Sequence, residues 1–544
     1  MKNSINHLIQ ESIDNYKKGK VSHSKNIALK IISEHPNNFD ANYILGIIAN
    51  FEEQYSEAIN YFDFILKING RDPEIWNHRA IALAKKEKFE EAIESFEKAL
   101  SLGGRNQEVI FTNIVTTVFQ KNKNLMNNDY QKAIDYSKKA LKINNQNVTL
   151  LNYLSLALIY NFQYDEAIII LKKILKINPK SVVAYQNIAL AYKYKNEYSS
   201  AEKYYKKSLA LSESNSFISR ESNLFISNIK TALGEVQLSQ LKFAEGWKNF
   251  ISKSLIFNSK FSYENNILEW KPNMGYKKKI LILGEFGIGD QILFSSILPD
   301  ICNKFEKVSF LVNERLVEIM SNSFQTINII GKNDLIIENY DCYLPMSALG
   351  LYFRKEITDF SPKRNLLVHD NSKINVSKKL KCALSWKSNN PEFGFLKSLN
   401  FDSLKYLTTL LQEIEIDFYN IQYTDENDDI KRLRNDFGVN IKKIEGLDTL
   451  NDIKGLSNFI GSCDFTINVS NSNAHLSAAL NKKTYLLLSK GIGTLWYWQN
   501  EYHKKNLWYS CISIFRQDKE GKWEDPIDDL IKHLKKDFSP YLNL

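Results

Sequence analysis

The sequence predicts a multidomain protein of the α plus α/β class, with an α-helical solenoid of repeats followed by two α/β lobes. Three observations lead to this class: a 34-residue period in the first half, its loss after about residue 265, and alternating short apolar and helical segments from residue 279. The 544 residues are 44% hydrophobic and 24% charged, which excludes a disordered or fibrous protein. This length suits several domains.

A small residue recurs in one phase through the first half of the chain. The positions are spaced by 34, 41, 34 and 34 residues, and an aromatic residue stands three positions before each. The 41-residue interval holds a polar insertion at 121–128. The recurring residues are Ala58, Ala92, Ala133, Ala167 and Ala201.

This period resembles that of the tetratricopeptide repeat, in which each unit is a pair of antiparallel helices. One unit cannot bury its own apolar face, so units stack into a superhelix with a concave surface. We expect this solenoid to span residues 1–265, with divergent units at about 5–38 and 215–257 capping it. Recognition of a peptide, a partner protein or a second copy is expected, and a spacer or a lid is the alternative. Candidate concave-face residues are Tyr43, Asn77, Asn152, Tyr153 and Asn187.

The second half changes period and predicts parallel sheets. A polar linker is expected at 266–278, and a polar break at 361–379 divides the rest into lobes at 279–370 and 371–544. Strand–helix alternation with apolar strands is typical of sheets covered by helices on both faces, which bind ligands at the strand carboxyl ends. The expected strands are 279–284, 308–312, 327–330, 341–345, 380–386, 416–422, 439–444, 464–469, 483–488 and 511–515.

Three polar clusters follow predicted strands. The first contains Gly287, Gly289 and Asp290, where glycines allow close backbone approach and the aspartate opens a helix. The alternative for Asp290 is a helix cap worth about 1 kcal/mol. The second cluster contains Lys387 and Lys397, which are either phosphate-binding cations or solvated loop residues.

The third cluster is a Ser/Asn-rich turn that leads into a helix. Backbone N–H groups and the dipole at such a helix start favour an anion. The turn consists of Ser470, Asn471, Ser472 and Asn473, and His475 lies one turn further on. A histidine in a helix is equally well explained as a structural residue.

Together the clusters resemble the heptosyltransferase-type glycosyltransferases of family nine, in the version that bacteria join to tetratricopeptide repeats. The segment GEFGIGDQILFSSILP resembles the family's GxGD…LP opening, and LSWKSNNPEFGFLKSL resembles its W-x-G-N-P…K-S loop. FYNIQ resembles its strand ending in Leu-Gln, and CDFTINVSNSNAHLSAALNKKTYLLL with a following WYW resembles its D-x-V-I-x-V-D-T-x-x-A-H-L segment. The resemblance covers about 270 residues.

The resemblance implies a GT-B fold with two Rossmann-like lobes, a nucleotide-sugar donor bound mainly by the last lobe, and no metal or other cofactor. It assigns Asp290 as the catalytic base and Gln422 to the nucleotide end of the site. The implied donor and phosphate contacts are Gly287, Gly289, Lys397, Ser470, Asn471, Ser472, Asn473 and His475. The acceptor would be a glycan, glycolipid or protein, and the enzyme a hexosyl- or heptosyltransferase.

The chain also departs from the family pattern. Ser470 and Asn471 replace the D-T pair, and the histidine that follows G-D in heptosyltransferases of lipopolysaccharide synthesis is absent from 291–296. Two alternatives therefore stay open: a non-catalytic repeat scaffold with a degenerate transferase lobe, and a nucleotide-binding regulator outside sugar chemistry.

Charge and cysteine content limit partners and location. The net charge of +9 is small for this length and no Lys/Arg block is dense enough to fit a nucleic-acid groove, so no nucleic-acid partner is expected. Five cysteines without CxxC spacing suit a reducing compartment. The start lacks a signal-peptide core, and no apolar run approaches the ~20 residues that span a bilayer. We expect a cytoplasmic protein, with peripheral contact at the inner membrane left open.

Overall fold

A computed structural model describes most of the chain. The described residues are 2–104, 106–125, 130–214, 220–254, 261–262, 264–361, 365–370, 379–391, 393–412, 414, 416–424, 427–498 and 506–539. The chain divides into two compact units, residues 1–187 and residues 188–544.

The first unit consists of helices that pair in sequence order. Consecutive helices α3 and α4, α5 and α6, and α9 and α10 pack against each other. The predicted insertion begins inside α7, and its residues 126–128 lie outside the described residues. The helices are α1 Lys2–Lys17, α2 Val21–Glu34, α3 Phe39–Phe51, α4 Tyr55–Ile68, α5 Pro73–Lys85, α6 Phe89–Ser101, α7 Gln107–Leu125, α8 Gln131–Ile143, α9 Val148–Tyr160 and α10 Tyr164–Ile177.

Small residues allow the paired helices to approach closely. Each of the five periodic alanines is fully buried, as their spacing predicted. Gly46 shows how tight the packing is, because a Cβ built on it would lie 2.6 Å from the ring of Phe62. A larger side chain at these positions would separate the two helices of a unit.

The second unit begins with helices and continues into two sheets. The expected capping unit at 215–257 contains α13 and α14, while its residues 215–219 and 255–257 lie outside the described residues. The helices are α11 Val182–Tyr194 (which begins before the unit boundary), α12 Tyr198–Ser214, α13 Arg220–Ser239, α14 Phe243–Phe250, α15 Ile288–Ser295, α16 Leu298–Ile301, α17 Glu314–Ser323, α18 Met346–Phe353, α19 Gly394–Lys397, α20 Phe401–Leu411, α21 Asn427–Phe437, α22 Ile453–Ser462, α23 Ser472–Ala479 and α24 Glu524–Asp537.

Both sheets of the second unit are parallel throughout the described residues. The first has four strands in the order β3-β2-β1-β4, and the second has six in the order β10-β9-β8-β5-β6-β7. Each predicted strand is present. The strands are β1 Lys279–Leu283, β2 Lys307–Leu311, β3 Asn328–Ile330, β4 Cys342–Pro345, β5 Leu380–Ser385, β6 Ile416–Asn420, β7 Ile441–Lys442, β8 Phe465–Val469, β9 Thr484–Leu488 and β10 Ile512–Arg516.

We call residues 279–353 the first sheet region and residues 380–537 the second sheet region. The polar break expected between them includes residues 362–364 and 371–378, which lie outside the described residues. Segment 266–278, expected to be a linker, contains a fully buried Trp270 whose backbone N–H donates to the carbonyl of Tyr343 (2.7 Å). This segment therefore packs along β4.

The hairpin of α13 and α14 shares a hydrophobic core with the first sheet region. Trp247 is fully buried, and its Nε1 donates to the carbonyl of Arg354 (2.7 Å). Gly350 on α18 leaves room for the indole ring, which a Cβ at this position would strike. Within the described residues, no helix is long and apolar enough to cross a membrane.

Candidate functional site

A cavity of about 460 Å³ opens at the carboxyl ends of the parallel strands of the second unit. Parallel strands bring their carboxyl ends to one edge of a sheet, so the loops after β1, β5, β8 and β9 meet there. Of the predicted site residues, the cavity wall contains Gly287, Gly289, Asp290, Lys397, Ser470, Asn471, Ser472, Asn473 and His475.

Asp290 lies in the first turn of α15. Its Oδ2 accepts a hydrogen bond from the backbone N–H of Gly287 (3.3 Å), so the carboxylate caps its own helix and also lines the cavity. Burial raises the pKa of Asp290 above its ordinary value, and the cations of Lys253 and Lys397 oppose that rise. A buried carboxylate of raised pKa is a stronger base than an exposed one.

Lys397 is the lysine of the second cluster that reaches the cavity. Its side chain is 4% exposed, and burial lowers its pKa to about 8, an effect that the nearby Asp290 opposes. Lys387 instead forms an ion pair with Asp429 (2.8 Å) and is absent from the cavity wall. The two lysines therefore differ in position, and Lys397, which the family resemblance assigns to the donor site, is the one on the cavity wall.

His475 lies one turn into α23 with its ring buried among aromatic side chains. The ring stacks on Trp498 at a centroid distance of 4.7 Å, and Nδ1 lies 3.1 Å from the hydroxyl of Tyr509. Burial, with the Lys397 charge, lowers the pKa of His475 to about 3. The imidazole is therefore neutral at physiological pH, and it lines the cavity as a hydrogen-bonding group and not as a cation.

The side chains of the turn before α23 form hydrogen bonds that stabilise the turn and the loops around it. Asn471 Oδ1 accepts from the N–H of Ala474 (3.2 Å), and its Nδ2 donates to Ser385 Oγ (2.6 Å). Asn473 Nδ2 donates to the carbonyl of Ile421 (2.6 Å). The four residues of the turn line the cavity at the start of α23, and a helix start is a setting that favours an anion.

Gln422 is absent from the cavity wall. Its side chain is 2% exposed, and its Oε1 accepts hydrogen bonds from Ser385 Oγ (2.7 Å) and the N–H of Lys387 (3.0 Å). Gln422 therefore connects the ends of β5 and β6.

Sequence reasoning missed several residues of the cavity wall. Arg315 lies in the first turn of α17, the helix that follows β2, and this place near a strand end could have indicated it. Tyr497 lies in the WYW segment, whose match to a family pattern did not indicate a role for the tyrosine. Tyr423 accepts from the N–H of Asn389 (3.3 Å) at the same wall. Among the described residues, no group of three or more His, Cys, Asp or Glu could hold a metal ion.

Comparisons with known proteins concern mainly the repeats. The tetratricopeptide repeat family matches residues 73–103, 124–191 and 182–215. Protein FlbA of Caulobacter vibrioides is 24% identical over 323 residues, which are 54% of this chain and 52% of that protein. The chain thus spans about half the length of this curated relative.

Solved structures of repeat proteins are also similar to parts of the chain. YrrB, described as a TPR protein with an unusual peptide-binding site, is 19% identical and covers 35% of this chain and 93% of its own, with a TM-score of 0.31. The C-terminal part of a TPR protein from Cytophaga hutchinsonii is 15% identical and covers 45% and 94%, with a TM-score of 0.38.

The family matches confirm the tetratricopeptide repeats that the period predicted. The repeats precede a region of parallel sheets and helices. Repeats of this kind favour protein interaction, because their stacked units expose an extended surface.

Proposed function

We propose that this protein is a metal-independent glycosyltransferase that moves a sugar from a nucleotide-sugar to a glycan or protein acceptor. The observation that carries the proposal is the cavity that unites Asp290, from the first sheet region, with Lys397 and His475 of the second. A base, a cation and a hydrogen-bonding group are what transfer from a diphosphate ester requires.

The fold supports this proposal. Two parallel sheets with their strand ends at one cavity agree with a GT-B arrangement of two Rossmann-like lobes. We assign the acceptor to the first sheet region and the donor to the second, following the family resemblance of the GEFGIGD and SNSNAHL segments.

The proposed donor site stabilises the leaving diphosphate. The start of α23 lines the cavity, where the N–H groups of a helix N-terminus favour an anion, and Lys397 adds a charge. Because a bound diphosphate would favour the protonated amine, it would raise the lowered pKa of Lys397. His475 adds a neutral hydrogen bond.

In the proposed transfer, the acceptor hydroxyl attacks the anomeric carbon of the donor. Its proton passes to the Asp290 carboxylate as the new C–O bond forms. The bond from the anomeric carbon to the diphosphate breaks, and its electron pair leaves with the diphosphate. Asp290 acts in this step alone, so it contributes to turnover more than to donor binding.

The repeats would recruit the acceptor protein or another partner. This role rests on the tetratricopeptide matches to residues 73–103 and 124–215. The partner is unassigned, and a second copy of the chain is one candidate that analytical ultracentrifugation can test.

Calorimetric titration with a panel of nucleoside-diphosphate sugars tests the proposal. We expect selective binding of one sugar nucleotide by the wild type and by Asp290→Asn, with turnover lost in the variant. Turnover at the wild-type rate in Asp290→Asn contradicts the base assignment. A folded protein that binds no sugar nucleotide supports the non-catalytic scaffold instead.

A further inference from the structure

Arg315 reaches the cavity from the first sheet region. It lies in the first turn of α17, and its side chain contacts the second sheet region, where Nη1 donates to the carbonyl of Leu450 (3.1 Å). Its Nε donates to Asn313 Oδ1 (3.1 Å). The guanidinium is therefore fixed at two points while it lines the cavity wall.

Asn313, which accepts the hydrogen bond from Arg315, is itself held by a hydrogen bond. The backbone N–H of Asn313 donates to Gln291 Oε1 (2.9 Å), and Gln291 is the buried neighbour of Asp290 on α15. Among the described residues, Nη2 of Arg315 has no hydrogen-bond partner. An arginine that is held by Nε and Nη1 and leaves Nη2 unused has donors available for an oxyanion at little further entropic cost.

Arg315 is important for the charge of the cavity, because few of the described wall residues are charged. Among the described wall residues, the charged side chains are Asp290, Arg315 and Lys397. Burial lowers the pKa of Lys397 to about 8, so its positive charge is lost as the pH rises above this value. A guanidinium stays charged throughout this range. Without Arg315, a diphosphate would meet Asp290 and a partly neutral lysine.

We propose that Arg315 binds the diphosphate of the nucleotide-sugar, so that the donor contacts both sheet regions. This inference rests on the proposed glycosyltransferase function and adds to it a phosphate contact from the side assigned to the acceptor. Lys397 and the start of α23 would hold the diphosphate from one side, and Arg315 from the other. The bound diphosphate would then connect the two regions.

The test is calorimetric titration of the full chain with a nucleoside-diphosphate panel (adenine, cytosine, guanine, thymine and uracil) and the matching nucleosides. The proteins are the wild type, Arg315→Ala, Arg315→Lys and a control, Lys454→Ala. Lys454 Nζ bonds Glu318 Oε1 (2.9 Å), so it also joins α17 to α22, but it is absent from the cavity wall. Circular dichroism establishes that each variant is folded.

We expect Arg315→Ala to weaken binding of the preferred nucleoside diphosphate at least tenfold and to leave binding of the nucleoside unchanged. Affinity in this variant should also fall more steeply between pH 7 and 9, because Lys397 is then the sole cation on the described wall. Arg315→Lys should recover part of the affinity, and Lys454→Ala should match the wild type.

Two results overturn the inference while the proposed function stands. In the first, Arg315→Ala binds the diphosphate with wild-type affinity. In the second, Lys454→Ala loses as much diphosphate affinity as Arg315→Ala, which would show that Arg315 acts by joining the two regions and not by contacting the diphosphate. A folded wild type that binds no nucleotide or sugar nucleotide overturns the proposed function, and the inference fails with it.

Discussion

Gly289 lies directly against the ring of His475. A Cβ built on Gly289 would come within 2.8 Å of His475 Cδ2, a distance at which one of the two groups must move. The histidine belongs to α23 and the glycine to α15, so this contact joins the two polar clusters that the sequence places almost 190 residues apart. The absence of a side chain at position 289 therefore sets where the imidazole can lie.

Gly289→Ala should weaken binding of the preferred sugar nucleotide by displacing the His475 ring. Overpacking of this kind costs about 1–3 kcal/mol. Calorimetry on the two single variants, Gly289→Ala and His475→Ala, and on the double variant measures the coupling. The double variant should lose scarcely more affinity than His475→Ala, since the ring is already gone. Fully additive losses would contradict an effect through His475.

Removing the charge of Lys253 should shift the pH dependence of turnover. Lys253 is the main cation that opposes the raised pKa of Asp290, so its loss raises this pKa further. The base acts when ionised, and the acidic limb of the kcat profile should therefore move to higher pH in Lys253→Met. Lys248→Met makes the same change in net charge from helix α14. An equal shift in both variants would indicate a general charge effect.

His475 should make the fold less stable in acid. Its pKa in the folded protein is about 3, against about 6.5 when unfolded, so the unfolded state binds the extra proton between these values. The free energy of unfolding should fall as pH drops below 6.5, by up to about 1.4 kcal/mol per pH unit. Urea denaturation from pH 7 to pH 5 measures this loss.

His475→Asn should remove most of that acid-dependent loss, because no group at position 475 then titrates. His533→Asn is the matched control, since His533 is an exposed histidine in the same unit. The same pH dependence in wild type and His475→Asn would show that the imidazole is solvated in the folded protein.

Trp247→Ala should destabilise the second unit by about 3–5 kcal/mol, the range for removing a large buried aromatic side chain. The indole is fully buried and its Nε1 donates to the carbonyl of Arg354. Trp247→Phe should cost less, because it keeps much of the apolar contact and loses the hydrogen bond. Equal midpoints of urea unfolding for wild type and Trp247→Ala would disprove this role.

The same contact bears on how the repeats should be studied. Deleting residues 1–260 would remove Trp247 and Phe250 from the core that they share with the first sheet region. Loss of activity in such a truncation would report unfolding as readily as loss of an acceptor site. Substitutions on the surface of α3–α10 avoid this ambiguity.

Periodic features of the fold were predictable from the sequence. Ala58 and Ala92 recur at one helical phase because a close helix crossing demands small residues, and apolar strands such as β1 and β8 are short continuous runs. Such patterns can be read from the local sequence without knowing which residues they contact in the fold. The buried Trp270 escaped prediction because proline and glycine around it indicated a linker.

A site residue could be predicted where the residue type and its neighbours in the sequence were enough to place it on the cavity wall. The wall position of Asp290 follows from a glycine turn after β1, and the start of α23 follows from its Ser/Asn turn. Lys387 pairs with Asp429, a residue more distant along the chain that the local loop pattern does not indicate. The position of the Arg315 side chain depends on its hydrogen bond to Leu450 in the other sheet region, and no local sequence pattern predicts this contact.

Three consecutive aromatic rings in the connection between β9 and β10 each have a different neighbour. Trp496 packs edge-on to Trp247 at a centroid distance of 5.2 Å, Tyr497 lines the cavity, and Trp498 stacks on His475. A deletion or insertion of a single residue here would place every ring against the wrong neighbour. Although this segment is a connection between strands, where length usually varies freely, its length is fixed by these three contacts. Alignments of proteins that share this arrangement should therefore be free of gaps at 495–498.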